Sequence, residues 1–174
     1  MYEIIDNFLG PEENLNLTKN LLSINFPWSI ASKTGVMQLH GFNLDPLNMQ
    51  NTHIFVSKRK LLSNHYHVIE KLANKINFSD AIRIKANCEL AKNIQFKSDF
   101  HVDQRNKDKT PMEGITNCIY YLNTNNGYTE FKNGEIVESI SDRLLVFPNT
   151  LYHRGVSQTN CSYRIAINFN VMLQ

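Results

Sequence analysis

Apolar residues recur at helical spacing in two segments of the first half of the chain. The first segment begins at Pro11, directly after Gly10, and proline is favoured in the first turn of a helix. The second segment runs from Ser57, a candidate N-cap, to Ile76. The residues that give these segments an apolar face are Leu15, Leu21 and Leu22 in the first and Leu61, Ile69 and Leu72 in the second. The pattern therefore predicts two helices, with loops and short strands in the polar stretch between them.

The second half of the chain has a different pattern. Short runs rich in β-branched and aromatic residues are separated by Asn-Gly and Pro-Asn turn signals. These runs are RIKANCELA, ITNCIYYLN, YTEFK, RLLVFP and SYRIAINFNVML. Because no helical segment separates them, they predict an antiparallel sandwich or a small barrel. We predict one mostly β domain over residues 1–174, in which helices and loops in 1–80 support a β core in 81–174.

Charge, cysteine content and the N-terminal residues argue against several functional classes. The formal net charge of +2 gives no indication of a nucleic-acid partner or an anionic membrane. The N-terminus, MYEIIDNFLG, has neither a basic stretch nor a long apolar run, so a cytoplasmic location without a membrane partner is expected. The three cysteines form no CxxC pair, which predicts isolated thiols rather than disulfides or a zinc knuckle.

A candidate metal site is formed by three residues from two segments. His101 and Asp103 are two positions apart in FHVDQ, and in a strand such residues point to the same face. His153, in LYHRGV, supplies a second imidazole. Two imidazoles and one carboxylate on one side of a metal, with open positions opposite, suit non-haem iron(II) oxygenases. The alternative for a bare HxD is a surface histidine beside a solvated aspartate.

Arg164 lies in a strand with two chemically different faces. Buried arginine is costly unless it meets an anion. The residues that share its face are Ala166, Asn168 and Asn170, whereas Ile165, Ile167 and Phe169 share the other. The polar face is therefore either turned to solvent or lines the ligand-filled interior of a barrel, and the periodicity does not choose between these two.

The order of these pieces carries a family resemblance. The pieces are HVD, ITNCIYYLN, DRLLVFPNTLYHRGV and SYRIAINF. Together they make residues 82–172 resemble the catalytic core of the prolyl 4-hydroxylase-like iron(II)/2-oxoglutarate-dependent oxygenases. The resemblance implies a double-stranded β-helix, a cupin-like jelly-roll with N-terminal helices. It also implies that His101, Asp103 and His153 are the metal ligands.

The resemblance assigns the co-substrate to three further residues. Arg164 matches the residue that binds the distal carboxylate of 2-oxoglutarate, a task for which its planar fork is suited. Tyr121 matches a tyrosine that supports the same carboxylate, although a core aromatic is the alternative. The family often shows RYxxG before HxD, where this chain has RIKAN. We therefore expect Asn87 to contact the metal-proximal end of 2-oxoglutarate. The alternative is that the face it shares with Arg83 and Lys85 points to solvent.

Substrate recognition is predicted from two polar stretches. Residues 104–114 follow the HVD motif directly, carry almost no apolar residue, and suit a lid. Residues 26–50 are expected to form the opposite wall. An open groove of this kind favours a polypeptide substrate, with proline as the first candidate. The expected substrate contacts are Arg105, Asn168, Asn170 and Trp28, with plain packing as the alternative for Trp28.

The activity implied by the resemblance is hydroxylation of a C–H bond. Iron(II), 2-oxoglutarate and dioxygen are required, ascorbate is an optional reductant, and the partner is a peptide, a protein or a small molecule. Three alternatives remain from the residues alone. They are an oxygenase acting on a free amino acid, small metabolite or nucleobase, a non-catalytic binding module with the same fold, and a cupin-like metal enzyme that does not use 2-oxoglutarate.

Overall fold

The computed structural model describes residues 1–32 and 49–174. The helices are α1 (Pro11–Leu21) and α2 (Glu70–Ile76), and a short 3₁₀ helix (Tyr66–Ile69) leads into α2. The strands are β1 (Glu3–Ile5), β2 (Ser29–Ser32), β3 (Met49–Ser57), β4 (Lys60–Leu61), β5 (Phe78–Leu90), β6 (Thr116–Tyr121), β7 (Tyr128–Phe131), β8 (Ile136–Glu138), β9 (Arg143–Pro148), β10 (His153–Val156) and β11 (Tyr163–Leu173). Within these described ranges, no helix is long and apolar enough to cross a bilayer.

The strands form two antiparallel sheets. In the larger one the order is β1-β9-β6-β11-β5-β3-β2, with β4 paired to β3, and in the smaller one it is β10-β7-β8. Every pairing is antiparallel. The prediction of a mostly β chain with helices near its N-terminus is therefore confirmed. The segment 1–80 is not only helices and loops, however, because β1 to β4 also belong to the larger sheet.

The two faces of β11 have different surroundings. Ile165, Ile167 and Phe169 are fully buried in the main hydrophobic core, together with Leu21 of α1 and Leu72 of α2. The opposite face, which includes the guanidinium of Arg164, lines a cavity between the sheets. Of the two interpretations of this strand, a polar face turned into the barrel interior is the one observed.

The second predicted helix is much shorter than the pattern suggested. Ser57 is the last residue of β3, and Leu61 belongs to β4, which pairs with β3 in a hairpin. The two residues between these strands, Lys58 and Arg59, have φ values of 50° and 61°. This is the conformation of a tight two-residue hairpin turn, usually made by Asn-Gly or Gly-Gly. The prediction of a helix from Ser57 is therefore wrong, and helical structure begins at Tyr66.

Asp142 joins the start of β9 to the residues that precede α1. Its carboxylate accepts hydrogen bonds from the backbone N–H of Leu9 at 2.6 Å and of Gly10 at 2.8 Å. The hydroxyl of Tyr120 donates to the same carboxylate at 2.8 Å. Burial raises the pKa of Tyr120, so the phenol keeps its proton as a donor. Asp142 thereby holds α1 against the larger sheet.

We expect Asp142→Ala to lower the free energy of unfolding by about 3 kcal/mol, because one buried and two partly buried donors lose a charged acceptor. Urea denaturation measures this. Asp142→Asn is the matched control, since it keeps an acceptor and tolerates the positive φ of 60° at this position. An alanine variant as stable as the asparagine variant would contradict this role.

The three cysteines are free thiols. Cys88 and Cys118 are buried, and burial raises the pKa of Cys88 to about 11 and that of Cys118 to about 12. Cys161 is half-buried. The first two are thus protonated at neutral pH and behave as small apolar residues of the core.

Candidate metal centre and its cavity

The three residues proposed as metal ligands meet at one end of the cavity. The candidate ligand atoms of His101, Asp103 and His153 all lie within 4.8 Å of one another. The backbones of the two histidines pair with each other, with N–H to C=O distances of 2.9 and 3.0 Å. Asp103 lies in a bend rather than in a strand, so the strand predicted for HVD is limited to the single bridge at His101.

Both imidazoles are oriented by backbone carbonyls. Nδ1 of His101 lies 3.0 Å from the carbonyl oxygen of Asp99, and Nδ1 of His153 lies 3.2 Å from that of Leu151. A ring nitrogen that contacts a carbonyl must carry the proton, which leaves Nε2 free to bind a metal. Burial lowers the pKa of His153, which favours the neutral imidazole that metals require.

The carboxylate of Asp103 is held on both oxygens. Arg83 Nη2 donates to Oδ1 at 2.9 Å, and Asn170 Nδ2 donates to Oδ2 at 2.9 Å. Burial by itself would raise the pKa of Asp103, but Arg83 and the two imidazoles hold it well below its usual range. An ionised carboxylate and two imidazoles whose candidate ligand atoms lie within 4.8 Å of one another form a donor set that fits iron(II).

Asn170 has a different position from the one predicted. It is fully buried behind Asp103 and also donates to Asn117 Oδ1 at 2.8 Å. It does not belong to the cavity wall. The expectation of a substrate contact is corrected here: the geometry makes Asn170 a positioning residue for Asp103.

We expect Asn170→Ala to weaken metal binding by roughly 10- to 100-fold, the usual effect of removing a partner of a ligating side chain. Calorimetric titration with Mn(II) measures this. Asn168→Ala is the matched control, because Asn168 lies two residues earlier on the same strand and lines the cavity without contacting Asp103. Equal affinities of the two variants would show that Asn170 does not position the ligand.

The cavity beside the three residues has a volume of about 350 Å³. Its wall is formed mainly by alternate residues of β5 and β11. These are Arg83, Lys85, Asn87, Glu89, Arg164, Ala166 and Asn168. In the register of the two strands Asn170 is opposite Arg83 near the metal end, and Arg164 is opposite Glu89 six residues away. The candidate metal group and Arg164 therefore occupy different ends of one cavity.

Arg164 is only 5% exposed and is surrounded by polar groups. Its Nε donates to Ser139 Oγ at 3.2 Å, and its Nη1 lies 3.6 Å from Glu89 Oε1. The guanidinium carbon is 5.6 Å from the centre of the Tyr121 ring. The Tyr121 hydroxyl donates to Thr129 Oγ1 at 2.7 Å, and Thr129 lines the cavity. This end of the cavity therefore holds an arginine beside a glutamate, with hydroxyl groups around them.

Sequence reasoning missed Glu89 and Thr129. Glu89 continues the polar alternation of Arg83, Lys85 and Asn87 along β5, so the period-two pattern could have identified it. Thr129 lies in the short run YTEF, which is too short to show a polar alternation of this kind.

The other predicted site residues divide into two groups. Asn87 and Asn168 line the cavity, and the amide oxygen of Asn87 is buried without a hydrogen-bond partner among the described residues. Trp28 lies elsewhere, because its Nε1 donates to the carbonyl of Leu21 at 2.9 Å at the end of α1. Arg105 is exposed and is not part of the wall. The packing alternative for Trp28 is thus the observed one, and neither residue is brought to the site.

The segment predicted as a lid forms a hairpin of its own. Asn149 holds its base, donating to the carbonyls of Gln104 at 2.8 Å and Met112 at 2.9 Å. Among the described residues that line the cavity, none comes from 104–114. Gln50 is the member of the predicted opposite wall that reaches the cavity, while residues 33–48 lie outside the described part of the chain. Closure over the cavity stays a prediction.

Gly127 allows the smaller sheet to approach Arg164. A Cβ at this position would lie 2.8 Å from Arg164 Cδ, Asn125 Oδ1 and the backbone oxygen of Val156. We expect Gly127→Ala to lower the free energy of unfolding by about 1–3 kcal/mol, because the backbone oxygen cannot move aside. Urea denaturation tests this against Gly155→Ala, whose Cβ would meet no atom within 4 Å. Equal stability of the two variants would contradict the close approach.

Comparison with known proteins gives matches in structure only. No family model and no curated protein matches the sequence. A prolyl hydroxylase from Trichoplax adhaerens, solved with a hypoxia-inducible factor peptide, superposes with a TM-score of 0.63 at 15% identity, covering 98% of this chain and 83% of that one.

Two further solved structures give the same result. A viral collagen prolyl hydroxylase from Paramecium bursaria Chlorella virus-1, solved with 2-oxoglutarate, has a TM-score of 0.58 at 15% identity and covers 99% of this chain and 96% of its own. A prolyl 4-hydroxylase from Pseudomonas putida has a TM-score of 0.61 at 14% identity, covering 98% and 92%. The resemblance noted in the sequence thus extends to the structure, and the chain has the double-stranded β-helix fold of the prolyl hydroxylases.

Proposed function

We propose that this protein is an iron(II)- and 2-oxoglutarate-dependent dioxygenase that hydroxylates a C–H bond. One observation carries the proposal: a group of two imidazoles and a carboxylate shares one cavity with a buried arginine at the far end. The buried guanidinium of Arg164, with hydroxyl groups around it at the end of the cavity away from the ligand group, suits the distal carboxylate of 2-oxoglutarate. A purely structural pair of histidines would not require the Asp103 carboxylate, which Arg83 and Asn170 hold beside the imidazoles.

His101, Asp103 and His153 would hold the iron through two Nε2 atoms and one carboxylate oxygen. Bound iron with 2-oxoglutarate and dioxygen supplies an oxidant for a C–H bond, and succinate and carbon dioxide are released. The Nδ1 contacts to backbone carbonyls orient both imidazoles and leave their Nε2 atoms free, and burial lowers the pKa of His153. Arg83 keeps the Asp103 carboxylate ionised.

Arg164 would bind the distal carboxylate of 2-oxoglutarate. Its burial strengthens a charge-assisted bond, because little water competes for the guanidinium. The Tyr121 phenol remains protonated, since burial raises its pKa, and it fixes the neighbouring Thr129 hydroxyl on the cavity wall. The unpartnered amide oxygen of Asn87 lies between the two ends and would accept a hydrogen bond from a ligand or a water molecule.

The substrate we propose first is a prolyl residue of a polypeptide. Support comes from the fold, shared with a collagen prolyl hydroxylase and with a hydroxylase solved with a peptide. The second candidate is a free amino acid or small metabolite. The cavity volume of about 350 Å³ favours it, because that volume lies at the small end of the range for ligand pockets. Ascorbate is an optional reductant in either case.

Succinate formation tests the proposal without knowledge of the substrate. Purified protein with iron(II), 2-oxoglutarate and air is expected to form succinate, and His101→Ala is expected to abolish this. Proline-containing peptides and free amino acids are then compared for stimulation above the uncoupled rate. Binding of 2-oxoglutarate without any succinate would instead identify a non-catalytic binding module. Stimulation by free amino acids alone would rule out the polypeptide substrate.

A further inference from the structure

Lys85 has a place in the cavity that the proposed metal and co-substrate do not explain. It lies on β5 between Arg83 and Asn87, its side chain lines the cavity, and its register partner on β11 is Asn168. Among the residues that the structure describes, its ammonium has no hydrogen bond and no ion pair within 4.0 Å. Desolvation, with repulsion from Arg83, lowers the pKa of Lys85 to about 8.

The other cations of the wall already have anionic partners. Arg83 is paired with Asp103 at 2.9 Å. Arg164 lies 3.6 Å from Glu89, whose second oxygen is 3.8 Å from the ammonium of Lys92. Asp99 also lines the cavity, but it is exposed to solvent. Asp103 also attracts the Lys85 ammonium, but its carboxylate is paired with Arg83. A largely buried cation without an anion in contact is unfavourable, so the position of Lys85 points to an anionic ligand.

The co-substrate leaves this charge unmatched. In the proposed function, one carboxylate of 2-oxoglutarate lies on Arg164 and the other on the metal. Lys85 is four residues from Glu89, the register partner of Arg164, which is about 13 Å along an extended strand. It is only two residues from Arg83, which contacts the metal ligand Asp103. Lys85 therefore lies nearer to the metal end of the cavity, where the C–H bond to be oxidised must lie.

We propose that Lys85 binds a carboxylate of the substrate, with the amide of Asn168 beside it as a second donor. The inference rests on the proposed function and narrows its substrate class to carboxylate-bearing compounds. Such a carboxylate can come from the main-chain carboxylate of a free amino acid or from an acidic side chain next to the target residue in a peptide. Both sources share the same chemistry, and the experiment separates them.

Two pairs of probes differ only in the carboxylate. They are L-proline with L-prolinamide, and the capped peptide acetyl-Ala-Pro-Glu-Ala-amide with its glutamine counterpart. Each probe is titrated calorimetrically into the full chain loaded with Zn(II) and 2-oxoglutarate. We expect one acid to bind about tenfold or more tighter than its amide, the size of a charge-assisted hydrogen bond. The pair that shows this difference identifies the source of the carboxylate.

Variants of Lys85 assign the preference to this residue. Lys85→Met is expected to remove the preference for the acid, and Lys85→Arg to retain most of it. Lys19→Met is the matched control, because it removes the same charge from an exposed position on α1 and is expected to keep the preference. The unfolding transition of each variant shows whether the fold is retained, and Lys85→Gln, which also removes the charge, replaces the methionine variant if that variant unfolds.

Several outcomes would overturn the proposal. They are acids that bind no better than amides, a preference that survives in Lys85→Met, and failure of all four probes to bind. Lys85→Met could also lose affinity for 2-oxoglutarate by as large a factor as it loses affinity for the acid probe. That result would assign Lys85 to the co-substrate instead. Succinate formation by the wild-type chain without any probe tests the proposed function separately, so the two failures are distinguishable.

Discussion

Replacing Asp103 with asparagine is expected to weaken iron(II) binding by about 100-fold or more, beyond the 10- to 100-fold typical of residues that only support a ligand. Asp103 is the one anionic member of the ligand group, and a neutral amide lacks the charge that attracts the metal. The fold is expected to persist, because asparagine has the same shape and still accepts a hydrogen bond from Arg83. Anaerobic titration with iron(II), or calorimetry with Mn(II), measures the loss.

Asp99→Asn is the control for this variant. Asp99 lies two residues before His101, is exposed, and lines the same cavity without belonging to the ligand group. Its replacement therefore removes one negative charge near the site without removing a ligand. We expect it to bind iron(II) as the wild-type chain does. Wild-type affinity in Asp103→Asn would show that the carboxylate is not a ligand. His101→Ala and His153→Ala are expected to lose metal binding in the same way.

Replacing Arg164 with methionine is expected to weaken 2-oxoglutarate binding by roughly 30- to 1000-fold, since the loss of a charge-assisted pair to a carboxylate costs about 2–4 kcal/mol. Metal affinity is expected to change far less, because Arg164 lies at the end of the cavity away from the ligand group. Calorimetric titration of the Zn(II)-loaded protein with 2-oxoglutarate gives the affinity.

Arg154→Met provides the comparison. Arg154 is a half-buried arginine of β10 whose Nε donates to Glu130 at 3.0 Å, and it does not line the cavity. Its loss should leave 2-oxoglutarate binding unchanged. If Arg164→Met binds 2-oxoglutarate as tightly as Arg154→Met, the distal carboxylate does not lie on Arg164.

The sequence predicted the β half of the chain well because its signals are local. Alternation along β11 separates Arg164 and Asn168 from Ile165 and Ile167, and the structure retains that division. The grouping of His101 with His153 needed more than local pattern, because the two lie in segments that are far apart in the sequence. It came from the order of motifs in a resembling family, and the backbone pairing of the two residues now gives its physical cause.

The missed features depend on contacts that pattern alone does not specify. The hairpin turn at Lys58 and Arg59 carries no glycine or asparagine, so its positive φ values left no sequence signal. Glu89 follows the alternation of β5, but the pattern does not show that its carboxylate is buried beside Arg164, which is distant in sequence. The indole of Trp28 donates a hydrogen bond to the carbonyl of Leu21 at the end of α1, and the sequence pattern does not reveal this contact.

Oxygen labelling tests the central claim most directly. When 2-oxoglutarate loses its first carboxylate as carbon dioxide, the new carboxylate of succinate needs one additional oxygen atom, and dioxygen is its source. Purified protein with iron(II) and 2-oxoglutarate under ¹⁸O₂ should therefore form succinate that carries one ¹⁸O atom, detected by mass spectrometry. The Asp103→Asn variant should form none. Absence of succinate from the wild-type protein, or succinate without the label, would contradict the assignment of an iron(II)- and 2-oxoglutarate-dependent dioxygenase.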